Sequence, residues 1–343
     1  MGYLAKRKLE ERERITLYLL LMIIPLLTFL GALGGGLDRR LDYIGEFKMH
    51  AAFLSVFLCL FCLYKRLFAI AGCFFLFVLM NLFLTASHYH FFEQESLLPP
   101  DAPQFTLFYQ DLKGADDKAG DLQILIASND ADLVLLTNVP VSVYELLHDI
   151  APDYVLQNQT ANDEGKMMLV LARSPSSARG VLDGDDALWV SRIIGERKLT
   201  VVLSVLDDPF EPENYDAARA KMTRIADFVS SRDEPVLFIG DLKASDWSRL
   251  TYDLKETGKL SLKEPLRFGT PATYPFFLRR PVASVYAHPG IEVRNIYPVT
   301  DMDLRAQGIS ALVKMTPVKK EVRFYELQPT VSEEILMRQN AAN

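Results

Sequence analysis

Apolar positions follow two different patterns along the chain. Residues 15–37 carry no charge, and two more apolar runs, 49–64 and 67–86, follow with only Lys65 and Arg66 between them. Such runs predict membrane helices, because about 20 apolar residues rising about 1.5 Å each cross a bilayer core about 30 Å thick. The middle run is short and spans only if its flanks snorkel or the bilayer thins. The pattern therefore predicts an amino-terminal bundle of three transmembrane helices, at about 15–37, 49–64 and 67–86, after a cytoplasmic tail, 1–14. A buried hairpin explains it less well, since no amphipathic segments surround the runs. A cleaved signal peptide fails too, because the first run is too long and more apolar runs follow.

Residues 87–104 open with aromatics, His88 and His90 and end in prolines, which suits an interfacial segment and a stiff linker. Beyond it the period shortens. "FTLFY", "DLVLLT", "KMMLVLA", "KLTVVLSVL", "PVLFIG", "VASVYA" and "GISALVKM" read as strands, and 117–128, 142–150 and 215–231 as helices between them. Continuously apolar strands need cover on both faces, so 105–327 predicts an α/β sandwich, followed by a tail, 328–343.

Charge separates the same two parts. Residues 1–92 hold 10 Lys/Arg and 6 Asp/Glu, and 93–343 hold 27 and 38, so the anchor is +4 and the domain −11. An acidic domain repels phosphate backbones, which argues against nucleic acid as a partner. Lys6, Arg7, Lys8, Arg12, Arg14, Lys65 and Arg66 flank one side of the runs, and only Arg39, Arg40 and Lys48 the other. That asymmetry predicts a cytoplasmic amino terminus. Three crossings then carry the domain out, to the periplasmic side of the inner membrane in a Gram-negative bacterium; a re-entrant 49–64 would leave it inside. Cys59, Cys62 and Cys73 all lie in the apolar runs and read as packing, so the domain has no internal disulfide.

The segments "FTLFYQDL", "DADLVLLTNV", "VLFIGDLKAS" and "ATYPFFLRRPVASVYAHPGIEV" stand in an order and spacing that resemble the endonuclease/exonuclease/phosphatase superfamily. The likeness is to its bacterial members with three amino-terminal membrane helices. It implies a four-layer α/β (α+β) sandwich, two mixed β-sheets flanked by helices. It also implies cleavage of phosphate esters with a divalent cation on oxygen ligands and a histidine, held by an aspartate, that activates water. Carried over, the first-strand asparagine falls on Asp111 and the metal-binding glutamate on Asn138. The aspartate of the Gly-Asp motif is Asp241, and its companion asparagine is replaced by Lys243. The proton-transfer positions fall near Leu206 or Asp207 and on Ala283 and Ser284. In the last motif Asp301 or Asp303 stands without a histidine after it.

Three readings follow. The first is a catalytically degenerate, membrane-anchored binding or scaffold module, without a cofactor, whose partners are the lipid bilayer and an unknown membrane or periplasmic protein. Its remnant site positions are Asp241, Lys243 and Asp301. The alternative is a divergent phosphoesterase or nuclease holding Mg²⁺ or Mn²⁺ on Asp111, Asn138 and Asp241. A third reading makes the anchor the working part. The Lys243 ammonium is expected to pair with Asp241 in place of the metal, so Lys243→Asn should lower thermal stability. His148 and His288 read as ordinary structural residues.

Overall fold

The computed structural model describes residues 12–21, 23, 27, 31, 38–86, 98–113, 119–161, 165–182, 184, 187–209, 211, 213–263, 283–300 and 306–317. Residues 12–21 are helical. A short helix α1 (Arg39–Gly45) leads into α2 (Lys48–Tyr64) and α3 (Phe68–Ala86), an apolar hairpin. Leu17 packs with Cys62, Ile70, Ala71 and Phe74 at the hairpin's turn end. At the other end Gly31 lies against the backbone of Gly45, so closely that a Cβ would collide with it. The Cys59 thiol donates to the Ala71 carbonyl, 3.4 Å, across the hairpin.

No single described helix is long and apolar enough to cross a membrane. The bent pair Arg39–Gly45 with His50–Tyr64, at 53°, passes together by length and composition, and Phe68–Phe83 is a shorter apolar helix. The expected span 15–37 lies largely outside the described residues, as do most of the linker and all of the tail at 328–343.

The domain has two six-stranded sheets. The first runs β11 (Ile291–Thr300), β12 (Ala306–Met315), β1 (Gln104–Asp111), β2 (Leu133–Val139), β4 (Met167–Ala172), β3 (Val155–Ala161). The second runs β5 (Ala178–Val181), β6 (Leu188–Ile194), β7 (Arg197–Val205), β8 (Val236–Asp241), β10 (Ser284–Ala287), β9 (Ser261–Leu262). Each is mixed: β1 and β2 are parallel, as are β7 and β8, and their neighbours pair antiparallel. A parallel pair needs a crossover, supplied by α4 (Ala119–Asn129) between β1 and β2 and by α7 (Tyr215–Ser230) between β7 and β8. Two short helices, α5 (Val141–Glu145) and α6 (Leu147–Ile150), stand where one was predicted, and α8 (Tyr252–Glu256) follows a 3₁₀ turn at Arg249–Thr251.

Three apolar clusters fill the four layers. Phe105, Leu107, Tyr109, Leu133 and Leu135 meet Val201, Leu203, Leu237 and Ile239 between the sheets. Phe108, Val134 and Leu136 pack outward on Leu122 and Ile126 of α4. Val202, Val236 and Phe238 pack outward on Met222, Ile225 and Val229 of α7. Side-chain alternation along each strand feeds the inner and outer clusters in turn.

Candidate functional site

The same alternation places the two aspartates. On β1 the inward positions Leu107 and Tyr109 are followed two residues on by Asp111, and on β8 Leu237 and Ile239 by Asp241. Both carboxylates thus face the space between the sheets at the carboxyl ends of the parallel strands, where open α/β sheets commonly hold ligands. The buried Tyr109 hydroxyl, which meets Thr137 Oγ1 at 3.1 Å, senses both. Burial, then Asp111, then Asp241 push it well above its ordinary range. Gly240 is needed beside Asp241 because a side chain there would run into the Ser204 carbonyl of β7.

Asn138 reaches the same space through a bulge. The β2–β4 register breaks between Leu136 and Val139, and Asn138 has φ +51°. Such a kink re-aims a side chain, and Asn138 Nδ2 donates to Asp111 Oδ1 at 2.7 Å. That oxygen also accepts the Lys113 backbone N–H at 3.1 Å. Asp241 Oδ1 accepts the Lys243 backbone N–H, likewise at 3.1 Å. Burial pushes the Asp241 carboxyl up to about 7; Lys243 pulls it down, Asp111 pushes it up, and Lys113 pulls it down.

Asn138 thus bonds Asp111, and Asp241 feels the charge of Asp111 from the facing sheet. The ion pair of Lys243 with Asp241 does not form. Among the described residues Lys243 acts on Asp241 through its backbone N–H and at a distance through its charge. Its backbone is left-handed, φ +47°. Asp301 and Asp303 lie outside the described residues. Leu206 is buried in the α7 cluster and Ala283 between the sheets. His288 is held at the opposite, amino end of β8, where Nδ1 accepts the Val236 N–H at 3.0 Å and Nε2 meets the Gly258 carbonyl at 2.8 Å.

Two carboxylates and an amide are oxygen donors of the kind a hard divalent cation takes. They fit such an ion in kind, although Asn138, whose Nδ2 now donates to Asp111, must turn its amide to present its oxygen instead. No group of three or more His, Cys, Asp or Glu suited to a metal occurs among the described residues.

The loop after Lys243 has partners that the sequence reading missed. Glu46 accepts the Ser245 N–H at 3.0 Å and its hydroxyl at 2.8 Å. Asp42 accepts the Tyr215 hydroxyl at 3.0 Å, the Ser248 hydroxyl at 2.8 Å and the Arg249 N–H at 3.0 Å. Trp247 Nε1 donates to the Gly45 carbonyl at 2.8 Å, and Lys48 Nζ lies 5.5 Å from the Trp247 ring centre. Burial pushes the Asp42 carboxyl above its ordinary range, and its three hydrogen bonds pull it part of the way back. The available signal was the four-residue spacing of Asp42 and Glu46, which puts both on one helical face.

No protein-family model matches the chain, and no curated protein matches it. Solved structures do. An endonuclease/exonuclease/phosphatase from Bacteroides vulgatus aligns with a TM-score of 0.51 at 13% identity, covering 62% of this chain and 99% of that one. A functionally unknown conserved protein from Enterococcus faecalis V583 gives 0.51 at 15% identity, over 62% and 99%. A mannosyl-6-phosphatase from Bacteroides thetaiotaomicron VPI-5482 aligns at 12% identity with a TM-score of 0.46, over 62% and 99%. What identities this low share is the fold, and the domain has that of the endonuclease/exonuclease/phosphatase structures: two mixed β-sheets flanked by helices.

Proposed function

We propose that the chain is a membrane-anchored endonuclease/exonuclease/phosphatase-like domain that works by binding, as a ligand sensor or scaffold, rather than by ester cleavage. The observation that carries this reading is the commitment of His288 to the far end of β8, with buried apolar side chains at Leu206 and Ala283. Positioned proton transfer contributes about 10²- to 10⁴-fold to hydrolysis, and among the described residues no imidazole is bonded to Asp111 or Asp241 to supply it. The convergence of Asp111, Asn138 and Asp241 favours the second reading, a divergent phosphoesterase. There Mg²⁺ or Mn²⁺ on their oxygens would polarise a phosphoryl group.

Full-length protein in detergent, given Mn²⁺ and a model phosphodiester, distinguishes the two. The expected result is no turnover above background and no effect of Asp241→Asn. Metal-dependent turnover abolished by Asp241→Asn would replace the binding reading with the phosphoesterase.

The anchor reading has support of a different kind. Of the 29 large hydrophobic residues exposed among the described ones, 21 lie between Ile15 and Phe83, a surface that lipid would cover. The docking of Asp42 and Glu46 on the domain requires both to lie on one side of the bilayer. An even number of crossings must then separate them, so α2 and α3 both cross or neither does. With a cytoplasmic amino terminus, a reporter active only in the periplasm and fused after Asn343 should be active. Activity of a cytoplasm-only reporter at that point would overturn the topology.

A further inference from the structure

The carboxylates of Asp42 and Glu46, 2% and 8% exposed, are too deeply buried to be solvated loop charges. A buried carboxylate is tolerated only when hydrogen bonds replace its water. Here the donors identified come from one loop, Ser245, Ser248 and Arg249, with Tyr215 of α7. The loop's other face is fastened within the domain. Asp246 accepts the Tyr286 hydroxyl of β10 at 2.8 Å and pairs with Lys255 of α8 at 3.4 Å. Ser248 also receives the Leu250 N–H at 3.2 Å, which starts the 3₁₀ turn. Ser245 stands two residues after Lys243 and four after Asp241, so whatever fixes this loop fixes the exit of β8.

We propose that the segment between the first two apolar runs, Asp38 to Lys48, is a strap that sets the conformation of the Asp241–Lys243 turn and transmits rearrangement of the helical bundle to the site between the sheets. The chemistry makes the strap two-state. Partial release strands a desolvated carboxylate on one side and unpaired N–H and O–H groups on the other, so docked and fully hydrated forms are favoured over anything between. The bundle is joined to the strap directly, since Gly45 touches Gly31 of the first run and Lys48 opens α2. A shift of the first run against the hairpin therefore moves Gly45, whose carbonyl holds Trp247. The inference is independent of whether the site binds or cleaves. It also means that a fragment starting after residue 92 lacks part of what orders its own site.

Amide hydrogen exchange on the full-length protein in lipid nanodiscs tests it. Glu46→Ala should raise exchange at Ser245 and Lys243 about tenfold or more, because each amide is held directly or through the loop. The β2 peptide 133–139, in the other sheet, should not change. Tyr215→Phe removes a single donor to Asp42 from the domain side and should produce a smaller rise in the same peptide, which guards against a Glu46 variant that fails to fold. Unchanged exchange at Ser245 would remove the strap. A rise confined to 245–249, with Lys243 unmoved, would leave a docking contact that does not reach the site and would equally overturn the proposal.

Discussion

The same tripeptide, Asp-Leu-Lys, begins at the carboxyl end of one strand of each parallel pair, at Asp111–Lys113 for β1 and Asp241–Lys243 for β8. The local physics repeats. Each lysine N–H caps its aspartate at 3.1 Å, and each leucine, Leu112 or Leu242, plugs the outer helical layer on its own side. The surroundings differ. Lys113 is exposed, whereas Lys243 is partly buried, takes φ +47° and runs into a loop strapped by Asp42 and Glu46. Sequence-local rules made the two turns alike; contacts with a segment 199 residues away made them different.

Removing the strap's anchor should have the largest effect. Asp42→Ala strips the acceptor from the Tyr215 hydroxyl, the Ser248 hydroxyl and the Arg249 N–H at once. The expected loss is about 2–3 kcal/mol, offset in part by relief of a buried charge. In a protein of this size that is a fall of about 3–6 °C in the melting temperature, measured in detergent. Lys113→Ala, at the unstrapped turn, should stay within about 0.5 kcal/mol of the parent. Equal melting of both variants would erase the difference between the turns.

The second effect depends on pH. Asp241 titrates at about 7 in the folded protein and near about 3.9 unfolded. A carboxyl raised on folding binds its proton more tightly in the native state, so its contribution is full below the unfolded value and is lost as pH rises through 7. Asp42, also raised, has the same sign. Stability of the parent should therefore fall from pH 5 to pH 8, and Asp241→Asn should flatten much of that slope. A slope unchanged in Asp241→Asn would mean that this carboxyl is hydrated and titrates normally.

Much of the domain could be read before the structure. β1, β2, β4, β7, β8, β10 and β12 are apolar runs buried on both faces or nearly so, and α7 has a clear amphipathic stripe. The strands that escaped notice are those whose surroundings weaken the pattern. β3 is a polar edge strand, β5 is four residues long at the other edge, and β11 carries a register break and Pro298. β6 hides behind Arg192, a buried arginine whose guanidinium donates to the Asp132 carbonyl at 3.1 Å and to Ser174 at 2.6 Å. The grouping of Asp111, Asn138 and Asp241 was legible through resemblance. The backbone sign of Lys243 and the strap were not, because a φ angle and a partner distant in sequence leave no mark on periodicity.

The smallest effect isolates that backbone sign. A left-handed φ is disfavoured for lysine and tolerated by asparagine, whose short polar side chain bonds locally. Lys243→Asn should therefore stabilise the protein by about 0.5–1 kcal/mol, the reverse of what an ion pair with Asp241 predicts. Lys113→Asn should give no such gain, since Lys113 is not among the residues with positive φ. Charge complicates the first substitution in a useful way. Lys243 pulls the Asp241 carboxyl down, so removing the ammonium disfavours the ionised form. At pH 5, where Asp241 is protonated, only the relief of strain is felt and the gain should be complete. At pH 8 the lost attraction should erode it, and the titration midpoint of Asp241 should move above 7. Thermal melts of the parent and the two asparagine variants at both pH values measure this directly. Destabilisation of Lys243→Asn at pH 5 would show that the lysine side chain, and not its backbone, holds the second turn.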